Sequence, residues 1–304
     1  MIHIACCIDS NFTVHCAVTL VSVFENNPDN KFCVHIVAPS MPEKDQKSLK
    51  NLAGKYDNEV IFYFPPKNTL DSFYVKGSKR RFTSVIYYRC LLGDILPADL
   101  DKVLYLDCDI IVMDDLSEFW NIDIDKYAVA CVEASFADRD DLYTRLQYDK
   151  KYSYFNAGIL LINLKYWRDH YISDQCKEYF GKYPERIVMD DQDLLNVLLF
   201  DKKLFVPMKW NMQEGFYRYR MEKKVENLTE WKKALLNPSI LHYTIKKPWW
   251  YDCYHPLRGE YFKYLQMTEW KDCRPSDTLR NRIARELKRM TYTLKLRKPR
   301  FMKL

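Results

Sequence analysis

The segment Val103 to Met113, VLYLDCDIIVM, constrains the fold more than any other part of this 304-residue chain. Its apolar residues are interrupted only at its centre, where Asp107 and Asp109 stand, and such continuity is typical of a strand buried on both faces of a sheet. A buried charge must be neutralised, and two neighbouring carboxylates repel each other. In an extended segment the side chains of residues i and i+2 point the same way. We therefore predict a divalent-metal site at the end of this strand.

The chain before that segment alternates strands with helices. Its apolar patterns predict, in order, a strand at 2–8, a helix at 13–24, a strand at 32–37, a helix after a capping box at 40–43, and a strand at 60–64. This order is typical of a mostly parallel α/β sheet with helices on both faces. Ligands of open α/β sheets bind beyond the carboxyl ends of the strands. Asp9 to Asn11 and the two aspartates should therefore lie at one edge of the sheet.

The later part of the chain is less regular. We predict a loop at 67–83, helices at 84–92, 114–120, 164–180 and 190–200, and a strand at 128–132, with further short apolar runs at 159–162 and 239–242. The helix at 190 opens with Asp190-Asp191-Gln192-Asp193. Acids at a helix start are stabilised by the helix dipole, but this cluster exceeds what a cap requires, so a functional role stays open. His242 could be a packed imidazole or a metal ligand followed by lysines for anionic oxygens.

Positive charge is concentrated at the end of the chain. Residues 280–304 contain ten Lys and Arg against one Glu, which leaves a net charge of −3 for residues 1–279 out of the total of +6. This distribution excludes a uniformly basic nucleic-acid-binding face. From Ser276, which we predict to be the cap, apolar residues recur at helical spacing among the bases. The pattern predicts a basic amphipathic helix, which either docks on the body of the protein or binds an anionic membrane surface, and we favour the membrane.

The expected organisation is therefore a domain over 1–270 followed by a tail over 276–304. No apolar run is long enough to span a bilayer. The ten cysteines are scattered, without a C-x-x-C pair, and no basic leader is apparent, so reduced thiols in the cytoplasm are expected. With the tail, these features predict a cytoplasmic protein that is peripheral at the inner face of the membrane.

Five motifs occur in a characteristic order: ACCIDSNF (5–12), YYRCLLGDILP (87–97), KVLYLDCDIIV (102–112), YFNAGILLIN (154–163) with MDDQDLLN (189–196), and HYTIKKPW (242–249). Through them the chain resembles the retaining glycosyltransferases of family 8, particularly the bacterial lipopolysaccharide galactosyl- and glucosyltransferases, over about residues 1–260. The resemblance implies a GT-A fold and a UDP-glucose or UDP-galactose donor. It also implies a divalent cation, usually Mn²⁺, and a glycan or glycolipid acceptor such as lipopolysaccharide.

The resemblance also implies roles for particular residues. Asp107, Asp109 and His242 would ligate the metal, and a set of oxygens with one imidazole suits Mn²⁺ better than Mg²⁺, although Mg²⁺ remains an alternative. The residues expected around the donor are Asp9 and Asn11 at the uridine, Lys247 at the diphosphate, Arg89 near the sugar, and Asn156, Asp191 and Gln192 as catalytic residues around the sugar.

One segment departs from the family pattern. Ile245 stands near the place of the family's usual glycine, so Lys246 or Lys247 could contact the diphosphate. We favour Lys247 because it precedes the matching Pro248-Trp249. Gln192 lies where a nucleophile would be expected, but an amide is a poor one. The family is therefore described by front-face attack, in which the departing UDP oxygen accepts the proton of the acceptor.

Two other functions fit part of the pattern. A haloacid-dehalogenase-type phosphatase would use Asp107 as its nucleophile and Asp190-Asp191 for Mg²⁺, although its motif usually lies on an early strand. A non-catalytic peripheral membrane protein would bind neither UDP nor metal. For the transferase, acceptor contacts are expected in 133–153 and 210–222, with Arg139 and the run Tyr217 to Arg220 as candidates.

Overall fold

A computed structural model describes residues 1–74, 84–273, 278–294 and 300–302. The strands of this part are β1 (Ile2–Cys7), β2 (Phe32–Val37), β3 (Glu59–Tyr63), β4 (Lys102–Leu106), β5 (Ile110–Val112), β6 (Val129–Glu133), β7 (Phe155–Asn163), β8 (Lys203–Phe205), β9 (Met212–Gln213) and β10 (Ile240–His242). Its α-helices are α1 (Thr13–Glu25), α2 (Glu43–Gly54), α3 (Leu92–Ile95), α4 (Ser117–Trp120), α5 (Asp140–Leu146), α6 (Leu164–Asp169), α7 (Ile172–Lys182), α8 (Asp190–Leu199), α9 (Leu228–Leu236), α10 (Arg258–Leu265) and α11 (Leu279–Thr293).

Seven of the described strands form one large sheet, in the order β3-β2-β1-β4-β7-β6-β8. Neighbours pair in parallel except β7, which runs antiparallel to both β4 and β6. Helices α1, α2 and α10 pack on one face, and α6, α7 and α8 pack on the other. The predicted mostly parallel α/β sheet with helices on both faces is confirmed.

Strand β4 is the centre of this arrangement. Leu104 and Leu106 belong to the core on one face of the sheet, and Val103 and Tyr105 belong to the core on the other. Burial on both faces explains why its sequence is continuously apolar rather than alternating.

The opening segment is divided between two sheets. Strand β4 ends at Leu106, the backbone turns at Cys108 and Asp109, and β5 then pairs antiparallel with β10 in a small sheet of order β5-β10-β9. The expectation of an extended path through the aspartates is therefore wrong. This change of sheet brings Ile110 opposite His242, so β10 delivers the histidine to the turn that carries the carboxylates.

Several predicted element boundaries are wrong. Ser40 does not cap α2, which begins at Glu43 after Pro42 without a side-chain cap. The helix predicted over 164–180 is two helices, because Tyr171 adopts a left-handed conformation with φ 52° between α6 and α7. Most of 84–92 forms a 3₁₀ helix, Ser84–Leu91. In the predicted loop, Lys67–Phe73 is also a 3₁₀ helix, and residues 75–83 lie outside the described residues.

The tail contains the predicted amphipathic helix as α11. Thr278 caps it by accepting a hydrogen bond from the Asn281 backbone N–H at 3.2 Å, whereas the predicted cap, Ser276, lies outside the described residues. Five apolar side chains of the helix and its end are 52–74 % exposed: Leu279, Ile283, Leu287, Met290 and Leu294. None of the helices in the described part of the chain is long and apolar enough to cross a membrane.

The last described residues return to the body of the protein. Phe301 forms a β-bridge with Arg218, and the Arg300 guanidinium donates a hydrogen bond to Glu214 Oε1 at 2.9 Å. Glu214 is fully buried, and it also accepts a hydrogen bond from the Lys246 backbone N–H. The tail therefore has an exposed amphipathic helix and a docked end.

Candidate active site

A cleft of about 420 Å³ lies beyond the carboxyl ends of β1 and β4, as expected for an open α/β sheet. The predicted site residues that line it are Asp9, Arg89, Asp107, Asp109, Asn156, Asp191, Gln192, His242 and Lys247. Asn11 is the exception. It is exposed in the 3₁₀ helix Ser10–Phe12, where its backbone N–H donates to Asp9 Oδ1 at 2.9 Å.

Two carboxylates and one imidazole converge in the cleft. One ligand atom of each of Asp107, Asp109 and His242 lies within 4.8 Å of the other two. His242 Nε2 is 3.2 Å from Asp109 Oδ1 and 3.8 Å from Asp107 Oδ2. The turn after β4 and the end of β10 thus bring together residues that are distant in sequence.

A hydrogen-bond network determines which ring nitrogen of His242 carries the proton. The Gly158 backbone N–H donates to Asn156 Oδ1 at 3.1 Å, so this oxygen is an acceptor. Asn211 Nδ2 also donates to it, at 2.8 Å, and Asn211 Oδ1 is therefore free to accept from His242 Nδ1–H at 2.9 Å. With this proton on Nδ1, the lone pair of Nε2 points to the aspartates.

These groups fit a divalent cation. Asp109 Oδ1 is buried and accepts no hydrogen bond from any described residue. It faces the Nε2 lone pair of His242 at 3.2 Å, and two acceptors at this distance repel each other unless a cation lies between them. Carboxylate oxygens with one imidazole suit Mn²⁺ and similar divalent ions.

Gly158 leaves the space that such an ion requires. A Cβ atom at this position would lie 2.6 Å from Asp107 Oδ2 and 2.9 Å from His242 Nε2. Contacts this short cannot be relieved easily, because both neighbouring side chains are held by other bonds. The glycine on β7 therefore keeps the cradle between the carboxylates and the imidazole open.

Arg89 is the buried cation beside this cradle. Its guanidinium forms ion pairs with Asp107 and, at 2.7 Å, with Asp191, and it donates a hydrogen bond to Tyr105 OH at 2.8 Å. It also donates to the Ala157 carbonyl at 2.8 Å. With only 5 % of its surface exposed, Arg89 neutralises two carboxylates and fixes their positions.

The carboxylates of the cleft have different proton affinities. Burial raises the pKa of Asp107 above its ordinary value, although Arg89 opposes this effect. Burial also raises the pKa of Asp191, to about 7. Burial would raise the pKa of Asp109 as well, but the charge of Lys247 opposes it and this pKa lies well below its usual range. Asp109 is therefore the strongest permanent anion of the three.

Lys246 and Lys247, which follow His242, form ion pairs with different partners. Lys247 forms an ion pair with Asp109 inside the cleft. Lys246 forms one with Asp252 at 2.6 Å, and Ile245 beside it is 44 % exposed. Of the two lysines considered for the diphosphate, only Lys247 has its ammonium group in the cleft.

Gln192 is held by hydrogen bonds on both ends of its amide. Its Oε1 accepts from Asn156 Nδ2 and from the Ala157 backbone N–H, both at 3.0 Å. Its Nε2 donates to Tyr154 OH at 3.2 Å. The first turn of α8 therefore fixes this amide against β7 at the wall of the cleft.

The structure shows that some of the residues expected to contact an acceptor are buried or paired with other side chains. Tyr217 is fully buried and packs against His255, so it cannot face an acceptor directly. Arg139 pairs with Asp141 at the surface. The segments 133–153 and 210–222 contribute to a second cavity of about 720 Å³, whose lining includes Ser135, Lys150 and Phe216.

Three residues of the cleft region were not identified from the sequence. Asn211 orients His242, Gly158 leaves room for an ion, and Tyr105 binds both Arg89 and, at 2.9 Å, Asp107 Oδ1. Gly158 lies within a motif that was recognised, and a glycine inside a buried strand often marks a close approach. Asn211 has no such local signal.

The fold is that of known glycosyltransferases. The chain superimposes on the crystal structure of the galactosyltransferase LgtC in complex with donor and acceptor sugar analogues, with a TM-score of 0.77, 24 % identity, and coverage of 88 % of this chain and 96 % of that one. Together with the mostly parallel sheet and the cleft beyond its strand ends, this similarity defines a protein of the GT-A fold. Residues 3–253 match the model of glycosyl transferase family 8, and the chain belongs to that family.

Curated relatives cover most of the chain. General stress protein A of Bacillus subtilis is 27 % identical over 276 residues, which is 89 % of this chain and 95 % of that protein. Lipopolysaccharide 1,2-glucosyltransferase of Escherichia coli is 28 % identical, over 87 % of this chain and 78 % of that protein. Lipopolysaccharide 1,3-galactosyltransferase of Salmonella typhimurium is 28 % identical, over 89 % of this chain and 80 % of that protein. The predicted resemblance to family 8 is confirmed.

Proposed function

We propose that this chain transfers glucose or galactose from a UDP-sugar to a glycan acceptor, either lipopolysaccharide or a related lipid-linked glycan, with retention and with Mn²⁺ as its cation. The observation that carries the proposal is the convergence of Asp107, Asp109 and His242, with a buried carboxylate oxygen facing an imidazole lone pair. The names of the E. coli and Salmonella relatives support the sugars and the class of acceptor.

Asp107, Asp109 and His242 would hold the cation. When bound, a divalent ion supplies Lewis-acid stabilisation of the charge that develops on the departing diphosphate. Lys247 contributes a second positive charge on the same side of the cleft. Its present partner, Asp109, would be shared between the ion and the lysine when the donor binds.

The remaining residues position the donor. Asp9, half-buried at the end of β1, and Asn11, exposed beside it, would hold the uridine at the rim of the cleft. Asn156, Asp191 and Gln192 also line the cleft and would contact the donor sugar. Their role is to orient the anomeric carbon towards the acceptor hydroxyl, since correct positioning contributes much of the rate in such a reaction.

The geometry around α8 supports front-face attack over double displacement. The amide oxygen of Gln192 accepts two hydrogen bonds, and Asp191 is paired with Arg89 at 2.7 Å. Neither group is arranged as a free nucleophile. In the proposed step, the acceptor hydroxyl attacks the anomeric carbon from the face that UDP leaves, and its proton passes to the departing phosphate oxygen.

Membrane attachment belongs to the same proposal. Helix α11 exposes the apolar face described above, and Arg280, Arg282, Arg285 and Lys288 lie among its other positions. Apolar side chains flanked by bases suit an anionic lipid surface. We place the enzyme in the cytoplasm, at the inner face of the membrane, with the domain over 1–270 above the surface and the tail over 276–304 as its attachment.

The donor proposal is tested by measuring UDP release from UDP-glucose, UDP-galactose and their N-acetyl forms, with and without Mn²⁺. We expect turnover of one of the two unmodified sugars, stimulated by Mn²⁺ and abolished by Asp107→Asn. Asp114→Asn, a change outside the cleft, is the matched control and should retain activity. Full Mn²⁺-dependent activity of Asp107→Asn would overturn the metal assignment.

The same preparation separates the other functions. A phosphatase would release inorganic phosphate and ignore the sugar, and the family match to glycosyltransferases does not favour it. A non-catalytic protein would show no thermal shift with UDP and Mn²⁺, although a ligand at 100 times its Kd stabilises by about 2.7 kcal/mol.

Membrane attachment has its own test. We expect the full chain to sediment with vesicles that contain anionic phosphatidylglycerol, to dissociate at high salt, and to ignore neutral phosphatidylcholine vesicles. The double variant Leu287→Gln, Met290→Gln should lose binding while it retains donor turnover. Equal sedimentation of this variant would show that α11 is not the attachment.

A further inference from the structure

A second group of metal-ligating side chains lies far from the cleft. His3 on β1 is the register partner of Cys33 on β2, and His35 follows Cys33 by two residues. Side chains two apart on a strand, and those of register partners on the next strand, point to one face of a sheet. The ligand atoms of these three residues lie within 4.8 Å of one another.

We propose that His3, Cys33 and His35 bind a Zn²⁺ ion. Imidazole nitrogen and thiolate sulfur are both ligands that this ion takes in proteins. His3 Nδ1 and His35 Nε2 are 3.0 Å apart, close to the separation of about 3.3 Å between two nitrogens that bind one tetrahedral zinc. Only a small outward movement of the rings would admit the ion.

The surroundings of the three residues support this site. Tyr63 OH contacts His35 Nδ1 at 2.9 Å, which orients the ring so that Nε2 faces His3, and metal-bound histidines usually have such a partner on the other nitrogen. His35 and Cys33 are buried, whereas His3 is half-buried. The exposed part of His3 would thus give the ion a route of entry, and the solvent would supply water as the fourth ligand.

All three ligands would bind the ion in their deprotonated forms. Neutral imidazole is the form that binds metal. Cys33 would bind as thiolate: the S–H bond breaks, the Zn–S bond forms, and the proton passes to the solvent.

This site is separate from the proposed catalytic cation. His3 lies at the start of β1, whereas Asp9 follows its end, roughly 20 Å away at about 3.3 Å per residue. An ion at His3 would join β1 to β2 near the amino ends of these strands, whereas the cleft lies beyond their carboxyl ends. Its expected effect is therefore on stability and not on turnover.

Cobalt provides the test, because Co²⁺ bound by a thiolate has a sulfur-to-metal charge-transfer absorption that an oxygen–imidazole site lacks. We expect chelator-treated full-length protein to show this band with one equivalent of Co²⁺, and Zn²⁺ to remove it by displacement. Asp107→Asn should retain the band. Cys33→Ala should lose it, and His3→Gln should weaken Co²⁺ binding by more than the roughly 100-fold that loss of an outer partner costs.

Two further variants make the result decisive. Tyr63→Phe keeps every ligand but removes the partner of His35, and we expect affinity to fall by about 10- to 100-fold. The buried thiols of Cys6, Cys16 and Cys108 form the other sulfur cluster of the described residues, so Cys16→Ala is the control and should retain the band. Absence of the band in the parent protein, or its survival in Cys33→Ala, would overturn the proposal and leave a hydrogen-bonded histidine pair.

Discussion

Asn211 offers the sharpest test of how the cleft is organised. Its side chain is fully buried, accepts from His242 Nδ1–H at 2.9 Å and donates to Asn156 Oδ1 at 2.8 Å. Asn211→Leu removes both bonds. Asn156 Oδ1 still accepts from the Gly158 backbone N–H, so the main loss is at His242.

The magnitude follows from that unpaired group. A buried hydrogen-bond donor without a partner costs about 1–3 kcal/mol. In Asn211→Leu this cost destabilises the tautomer of His242 that has its proton on Nδ1 and its Nε2 free to bind a metal. Loss of such an outer partner lowers metal affinity by about 10- to 100-fold. We therefore expect the Kd for Mn²⁺, measured in the presence of UDP by titration calorimetry, to rise by this factor in Asn211→Leu.

Two comparisons separate this effect from general destabilisation. Asn211→Asp keeps an acceptor for His242, so Mn²⁺ affinity should stay near that of the parent even if turnover falls. Asn27→Leu removes an equally buried amide that bonds to Val23 and Leu116 away from the cleft, and it should lower stability without changing Mn²⁺ affinity. If folded Asn211→Leu binds Mn²⁺ within twofold of the parent, the proposed control of His242 is wrong.

Three further predictions concern Gly158, Arg89 and His255. Gly158→Ala should fold but lose Mn²⁺ binding and turnover, because its Cβ would occupy the cradle; retained Mn²⁺ binding in a calorimetric titration would contradict this. Arg89→Met should lower the free energy of unfolding by about 3–5 kcal/mol in urea, because it leaves the buried carboxylates of Asp107 and Asp191 without their cation. Burial lowers the pKa of His255 to about 3. Between pH 6.5 and 3 the unfolded chain therefore binds more protons than the folded protein. The free energy of unfolding should decrease as the pH is lowered through this range, by up to about 1.4 kcal/mol per pH unit for this residue. In urea titrations at pH 4.5–7.5, His255→Phe should therefore reduce this slope, and an unchanged slope would refute the assignment.

Much of the fold could be predicted from local patterns. The continuous apolar residues of β4 indicated burial on both faces, and both cores do contain its side chains. The alternation of strands and helices before it indicated a mostly parallel sheet. These predictions succeeded because they depend on the spacing of apolar residues along one segment, which the sequence displays directly.

Element boundaries were harder to predict. The apolar spacing over 164–180 continues across the break at Tyr171, where a left-handed residue separates α6 from α7. Ser40 had the residue type of a cap, but α2 begins at Glu43 and Pro42 occupies the cap position. In both places tertiary packing overrides a local preference that is worth only about 1 kcal/mol.

The sequence by itself determined the type of sheet, the two aspartates at the end of a buried strand, and the residues expected to surround a donor. Only the tertiary structure decided that β4 and β5 belong to different sheets, that β10 places His242 beside the aspartates, and that Asn211 selects its free nitrogen. Local patterns depend on neighbours a few residues away, so they can be recognised in any one segment. The meeting of β5 with β10 depends on strand pairing across the whole core, and no single segment records that register.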